Sequence, residues 1–133
     1  MTMPEEIIWT FINDLLLNAI SVLKNEEYQR RVWFKVEGPE VSTYLDTTVH
    51  LIDRCEAIFK YPVCSTYLGQ DNYALLKKLY ELVHEHLTLT ERRINADLLE
   101  EDELFSDPKW HEIIALAGKV YLKLTDFVER KKL

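Results

Sequence analysis

The stretch DPKWHEIIALAGKVYLKLTDFV, residues 107–128, sets the fold class of this chain. Trp110, Ile113/Ile114, Ala117, Val120/Tyr121, Leu124 and Phe127/Val128 recur every three or four residues, which lines them along one face of an α-helix. Asp107-Pro108 is a start signal, an acidic cap followed by a proline whose missing N–H costs nothing in a first helical turn. Arg130, Lys131 and Lys132 close the segment, where positive charge complements the helix dipole.

The same period recurs upstream. Residues 4–24 carry apolar positions at 7/8, 11/12, 15/16, 19/20 and 22/23, with Thr2 as a cap, Pro4 in the first turn and Trp9 as a core anchor. Val41, Tyr44/Leu45, Thr48, Ile52, Cys55 and Phe59 line a helix over 40–60, which Tyr61-Pro62 ends because proline disfavours helical geometry in the residue before it. Residues 61–70 read as a loop with room for a single turn. Asp71 caps a helix over 72–87 with Leu75/Leu76, Leu79/Tyr80, Val83 and Leu87 on one face. Thr88 and Thr90 mark a break, after which Thr90 caps a short acidic helical segment running to about Glu103. Residues 26–36 are mixed. Glu26 to Arg31 are helical in character, whereas Val32, Phe34 and Val36 alternate as in a strand. A lone strand has no partner, so a short helix followed by extended chain is expected, with Trp33 wedged between helices. Glu37-Gly38-Pro39-Glu40 is a break. The expected fold is all-α, a compact bundle of four to five amphipathic helices forming a single helical domain over 1–133.

Composition narrows the function classes. The 133 residues suit one domain, and 47% hydrophobic content supplies a core that needs neither disulfide nor metal. Three glycines and four prolines are too few for the turns of an all-β fold. Sixteen basic against 23 acidic residues leave a net charge of −7, which repels nucleic acid and anionic membrane and attracts basic proteins. Glu5 and Glu6 stand where a signal peptide needs positive charge, and Asn13 and Asp14 interrupt the apolar stretch that follows, so no run is expected to reach a membrane span. Cys55 and Cys64 have no paired CxxC spacing and read as reduced thiols of a cytoplasmic protein.

Motifs for chemistry are incomplete. Glu81 and His84 have the Glu-x-x-His spacing of di-iron bundles, but Thr47, Val83 and Pro108 stand where His50, His86 and His111 would need a glutamate. Asp46, His50 and Asp53 share a helix, and an acid there can orient the imidazole, yet no nucleophile elbow or zinc motif accompanies them. Exposed or capping histidines are the simpler reading. Gly38 and Gly69 stand outside any phosphate-loop context. Arg30-Arg31 beside Trp33 and Phe34 imitate a stacking platform for RNA within a chain of the wrong charge; Lys77-Lys78 are a second isolated basic pair. No catalytic residue, metal or cofactor is expected.

Residues 97–107 carry the strongest signal, six acids and no base, interleaved with Leu98, Leu99, Leu104 and Phe105 as apolar anchors. Residues 91–107 contain seven acids and two bases, so most of the net charge is here. A solvated connector accounts for most such runs; the other reading is a docking surface for a basic protein.

Three further stretches combine with this one: Gly38-Pro39-Glu40-Val41-Ser42-Thr43-Tyr44 before a helix, Gln70-Asp71-Asn72-Tyr73-Ala74-Leu75-Leu76-Lys77-Lys78-Leu79, and Phe105-Ser106-Asp107-Pro108-Lys109-Trp110-His111-Glu112-Ile113-Ile114. Their order resembles small helical bacterial proteins encoded beside polymorphic or contact-dependent toxins as immunity partners. The resemblance implies a non-enzymatic, stoichiometric inhibitor that covers its toxin's active site or blocks substrate access. It supplies no contact residues. Charge alone nominates Asp97, Glu100, Glu101, Asp102, Glu103 and Asp107, with Glu37 and Glu40 as secondary candidates, for a basic toxin domain as partner. A small helical metal-binding protein or enzyme using His50, His84 and nearby carboxylates is the alternative. A homodimeric adaptor with an interface around Trp33 or Trp110 is another, the chain itself being a monomer or homodimer.

Overall fold

Ile8, Ile12, Leu16 and Ile20 recur every fourth residue, and all four are buried. In an α-helix a four-residue repeat outruns the turn by about 40° each time, so such a row would drift off the core face. The chain absorbs the drift with a change of helix type. The computed structural model describes residues 5–132, and its first helix, α1 (5–23), is α-helical over Glu5–Thr10 and Leu17–Leu23 with a π-helical turn at Phe11–Leu16 between them. The Leu17 N–H reaches back five residues to Ile12 O, and the added residue per turn keeps the row facing inward. Thr2 and Pro4, read as its cap and first turn, lie outside the described residues.

α2 (26–34) repeats the device. Asn25 caps it by accepting from the Tyr28 N–H at 3.0 Å. It is α-helical over Glu26–Tyr28 and π-helical over Gln29–Phe34. The strand-like alternation at Val32 and Phe34 is therefore helical, and the chain after Phe34 turns through Lys35, still helical in backbone angle, and Val36, at φ +53°, rather than running on extended. The π-helical spacing turns Gln29, Val32 and Trp33 into the core, where burial outweighs local β preference.

Five helices follow: α3 (Tyr44–Phe59), α4 (Pro62–Leu68), α5 (Gln70–Arg93), α6 (Glu101–Phe105) and α7 (Pro108–Lys132). The described residues thus form an all-α fold of seven helices rather than four or five. The difference lies in the short pieces: α4 occupies the expected loop 61–70, with Pro62 at its first position. α3 starts at Tyr44, capped by Thr43 Oγ1, which accepts from the Asp46 N–H at 3.0 Å, so Val41 stands outside the helix and is exposed. Gly69, not Asp71, precedes α5, and its φ of +86° is a conformation L side chains rarely adopt. α5 also runs through the expected break. Thr88 Oγ1 donates to His84 O at 2.8 Å within the helix, and Thr90 faces the core beside the Tyr44 hydroxyl.

Four long helices enclose the core in a closed order: α1 packs on α7, α7 on α5, α5 on α3, and α3 on α1. α4 covers α3 and α5, α6 lies on α7, and a 3-10 turn at Ala96–Leu98 touches α3 and α5. Trp110, Ile113, Ala117, Val120, Leu124 and Val128 form the buried stripe of α7. Cys55 and Cys64 are buried free thiols, both pushed upward in pKa by burial. Contrary to the sequence expectation, Glu6–Leu23 is long and apolar enough by length and composition to cross a membrane. In the fold its row of Ile8, Ile12, Leu16, Ile20 and Leu23 is core.

One buried amide ties three segments. Gln29, fully buried, donates from Nε2 to Val22 O at 3.0 Å and Leu23 O at 2.8 Å, where α1 ends. Its Oε1 accepts from Trp110 Nε1 at 3.0 Å. Gln29→Leu should cost about 2–4 kcal/mol in urea unfolding, because the indole N–H and the Leu23 carbonyl are left buried without these partners. Trp110→Phe should then cost less in the Gln29→Leu background than alone.

Candidate functional site

Asp107 shows how tightly the acidic segment is bound to the fold. It sits between α6 and α7; Oδ1 accepts from the Lys109 N–H at 2.9 Å, capping α7, and Oδ2 lies 3.0 Å from His86 Nε2. A carboxylate only accepts, so Nε2 carries the imidazole proton. The other nitrogen, Nδ1, then accepts from the Tyr44 hydroxyl at 2.7 Å, with Thr90 Oγ1 3.4 Å from that oxygen. His86 and Tyr44 are buried, and Trp110 packs against both rings at centroid distances of 5.0 and 5.4 Å. Burial pushes the Tyr44 phenol up to about 12 and pulls the His86 pKa below 6.5; Asp107 opposes the latter shift without cancelling it. The chain of acid, imidazole and phenol resembles a catalytic relay in connectivity alone, since its terminal hydroxyl is enclosed by aromatic rings. His86 is a core histidine, which corrects the expectation of exposed or capping histidines.

The remaining candidates follow from the chain on either side. Asp97 falls in the 3-10 turn, with its side chain outside the described residues. Glu100 and Glu103 form a reciprocal capping box around the first turn of α6, in which the Glu100 N–H donates to Glu103 Oε1 at 3.3 Å. Glu101 Oε2 lies 3.8 Å from Arg30 Nη1, while its Oε1 is buried without a hydrogen-bond partner among the described residues. Asp102 is exposed, and its backbone oxygen accepts from Ser106 Oγ at 2.6 Å. Leu99, Leu104 and Phe105 are buried anchors; Leu98, expected with them, is 70% exposed. The 3-10 turn is too short to bring both adjacent leucines onto one face.

Glu37 and Glu40 lie in the loop after α2. Arg31 gathers this loop: Nη1 donates to Glu37 O at 3.3 Å and Glu40 Oε2 at 3.2 Å, and Nη2 to Glu40 Oε1 at 3.4 Å. The Glu40 carboxyl is held below the usual range by its own backbone N–H and then by Arg31. Gly38 has φ +89°, and a Cβ there would sit 2.5 Å from Glu40 Oε2, so the loop requires glycine. Val36 carries φ +53° while 74% exposed, a strained conformation for a β-branched residue. Val41 is 94% exposed.

The fold brings this loop and the acidic segment to adjoining positions. Phe34 packs edge-on against Phe105 at 5.8 Å, and Thr43 and Leu45 line one small cavity with Ala96 and Leu99. Consecutive arginines serve the two sides, Arg31 holding Glu40 while Arg30 stacks 4.0 Å over Phe105 and faces Glu101. Arg30 and Arg31 are thus paired with acids, and Trp33 is buried.

Other constellations separate. Glu81 and His84 are both exposed, with His84 beside the Tyr80 ring. Asp46 and His50 line a cleft with Arg54 rather than with Asp53. No three His, Cys, Asp or Glu side chains converge as metal ligands among the described residues. Trp33 and Trp110 are buried, which removes the expected surface patch around them. Comparison of the chain with protein-family models, curated proteins and solved structures finds no match.

The depressed His86 pKa gives stability a pH dependence. Below about 6.5 an unfolded histidine takes up a proton that the folded one refuses, so the contribution is complete above that pH and is lost as pH falls through the folded pKa. Unfolding midpoints measured from pH 7.5 down to about pH 5 should fall for the natural protein and fall less for His86→Gln.

Proposed function

We propose that this protein is a non-enzymatic binding protein whose partner is a basic protein, engaged through the face shared by the 36–41 loop and residues 97–107. The observation that supports this reading is the anchoring of the acids. Leu99, Leu104 and Phe105 are buried, Glu100 and Glu103 close a capping box, and Asp107 is held by His86 and the start of α7. A carboxylate on an ordered backbone keeps its field in one direction, and complementary fields raise encounter rates and disfavour wrong partners. A solvated connector needs none of these attachments.

Stoichiometric immunity to a basic toxin domain is the specific form in which we read this binding, on the strength of the motif order noted above. The acids contribute unequally to the surface. Glu40, Glu101, Glu103 and Asp107 hold the fold, whereas Glu37 and Asp102 are exposed and have no side-chain hydrogen bond or ion pair among the described residues. Their reversal therefore tests binding without dismantling α6.

The experiment is affinity capture from the native host, identification of the retained protein and kinetic binding with that partner. Glu37→Lys with Asp102→Lys should lower the association rate by about tenfold at low salt, with a smaller change in dissociation. The difference should shrink as salt rises. Unchanged association by a normally folded double variant, or a retained partner of acidic charge, would sink the reading.

A further inference from the structure

Beside the 36–41 loop, α1 and α3 flank an open cleft of about 270 Å³ that Val41 and Ser42 also line. One wall is a row on α3, Asp46, His50 and Arg54, at successive four-residue steps. The row spans about 12 Å of helix from carboxylate to guanidinium. Facing it are Asn18, Ala19 and Val22 of α1, with Tyr28 of α2 also on the lining. The cleft therefore has an acid at one end of a row, a base at the other, and an apolar strip with neutral polar groups across from them.

Arg54 is held in place. Its Nη1 donates to Leu15 O at 2.8 Å, in the π-helical turn of α1. Turns of this type are frequent at functional sites. One guanidinium nitrogen is used in this contact, and a guanidinium has others to offer. By contrast, the side chains of Asn18, Asp46 and His50 and the Tyr28 hydroxyl make no hydrogen bond within the chain among the described residues. On a surface given over to solvation such groups would be scattered; here they converge on one concavity. The size places it at the small end of ligand sites.

From this arrangement we propose that the cleft binds a small dipolar molecule of the ω-amino carboxylate class. The ammonium group meets Asp46, the carboxylate meets Arg54, and the methylene chain lies along Ala19 and Val22. Asn18, Tyr28 and His50 supply hydrogen bonds between the charged ends. The two ends work together: a carboxylate without the amine leaves Asp46 unmatched, and an amine without the carboxylate leaves Arg54 unmatched. Val41 belongs both to this lining and to the 36–41 loop, so the cleft adjoins the protein-binding face; the proposal rests on the groups of the cleft and not on that reading.

The test is NMR titration of the whole chain with β-alanine, γ-aminobutyrate and ε-aminocaproate, following the Asn18 side-chain amide and the His50 ring. Butyrate and butylamine serve as single-charge controls. At least one dipolar probe should give saturable shifts at both residues in the millimolar range, and the controls should bind about tenfold more weakly or worse. Asp46→Asn, at an exposed position, should weaken the bound probe by about tenfold, as should Arg54→Gln, whose amide retains a donor for Leu15 O. If Arg54→Gln fails to fold, Asp46→Asn and the single-charge controls decide. No saturable shift with any dipolar probe, equal binding by butyrate, or unchanged binding by Asp46→Asn would overturn the proposal.

Discussion

Gln29 puts a polar amide at the centre of an aromatic core and uses both ends of it. Nε2 takes the carbonyls of Val22 and Leu23, and Oε1 takes the indole N–H of Trp110. Helix ends leave carbonyls without intrahelical partners, and burying them unpaired costs more than a single hydrogen bond returns. The amide therefore lets α1 end inside the protein, fixes α2 beneath that end and sets the rotation of α7 through Trp110. Trp33 packs on the same indole at 6.0 Å and reaches Ser42 Oγ with its own N–H at 3.0 Å, which ties the loop before α3 to this centre.

A second buried network starts from the other side of Trp110. Tyr44, His86 and Asp107 join α3, α5 and the start of α7 by hydrogen bonds that saturate a neutral imidazole. Asp107 serves both the network and the helix cap, one oxygen for each. The connection between α6 and α7 cannot move independently of α5 while both bonds hold. The acidic segment thus owes its fixed position to the core polar chemistry as much as to its own leucines.

Electrostatics then separates the chain's acids into two groups. Those near Arg30, Arg31 and the helix starts answer a local need, and their charge is partly offset where it stands. Glu37 and Asp102 answer none and face solvent, and the same two segments carry apolar side chains that the fold leaves uncovered, Val36, Val41 and Leu98. Exposed carboxylates around exposed aliphatic tips suit a partner with basic residues around apolar depressions. The α1–α3 cleft has a different character, with opposite charges at its ends and an apolar wall between. Small dipolar molecules meet that description better than a protein surface does.

How much of this was legible in the sequence depends on how local each cause is. The all-α class, the α7 stripe and the Asp107-Pro108 start follow from periodicity and capping, which neighbouring residues determine. The candidate acids were also visible as a composition. What neighbours could not settle were features whose partners come from afar. The four-residue spacing of Ile8, Ile12, Leu16 and Ile20 was present in the sequence, but only packing against α3 and α7 makes a π-helical turn worthwhile. Thr90 resembled a cap until Tyr44, 46 residues away, gave its hydroxyl a place inside α5. His86 resembled a surface histidine until Asp107 and Tyr44 closed on its two nitrogens, and Arg54 joined Asp46 and His50 at a cleft only because α1 lies opposite. Sequence by itself determined the all-α class, the apolar stripes of the long helices and where charge accumulates, since backbone geometry and residue type are local. Tertiary structure decided which polar groups are consumed in the core and which are left to meet a partner, because a hydrogen bond depends on what the fold brings within reach.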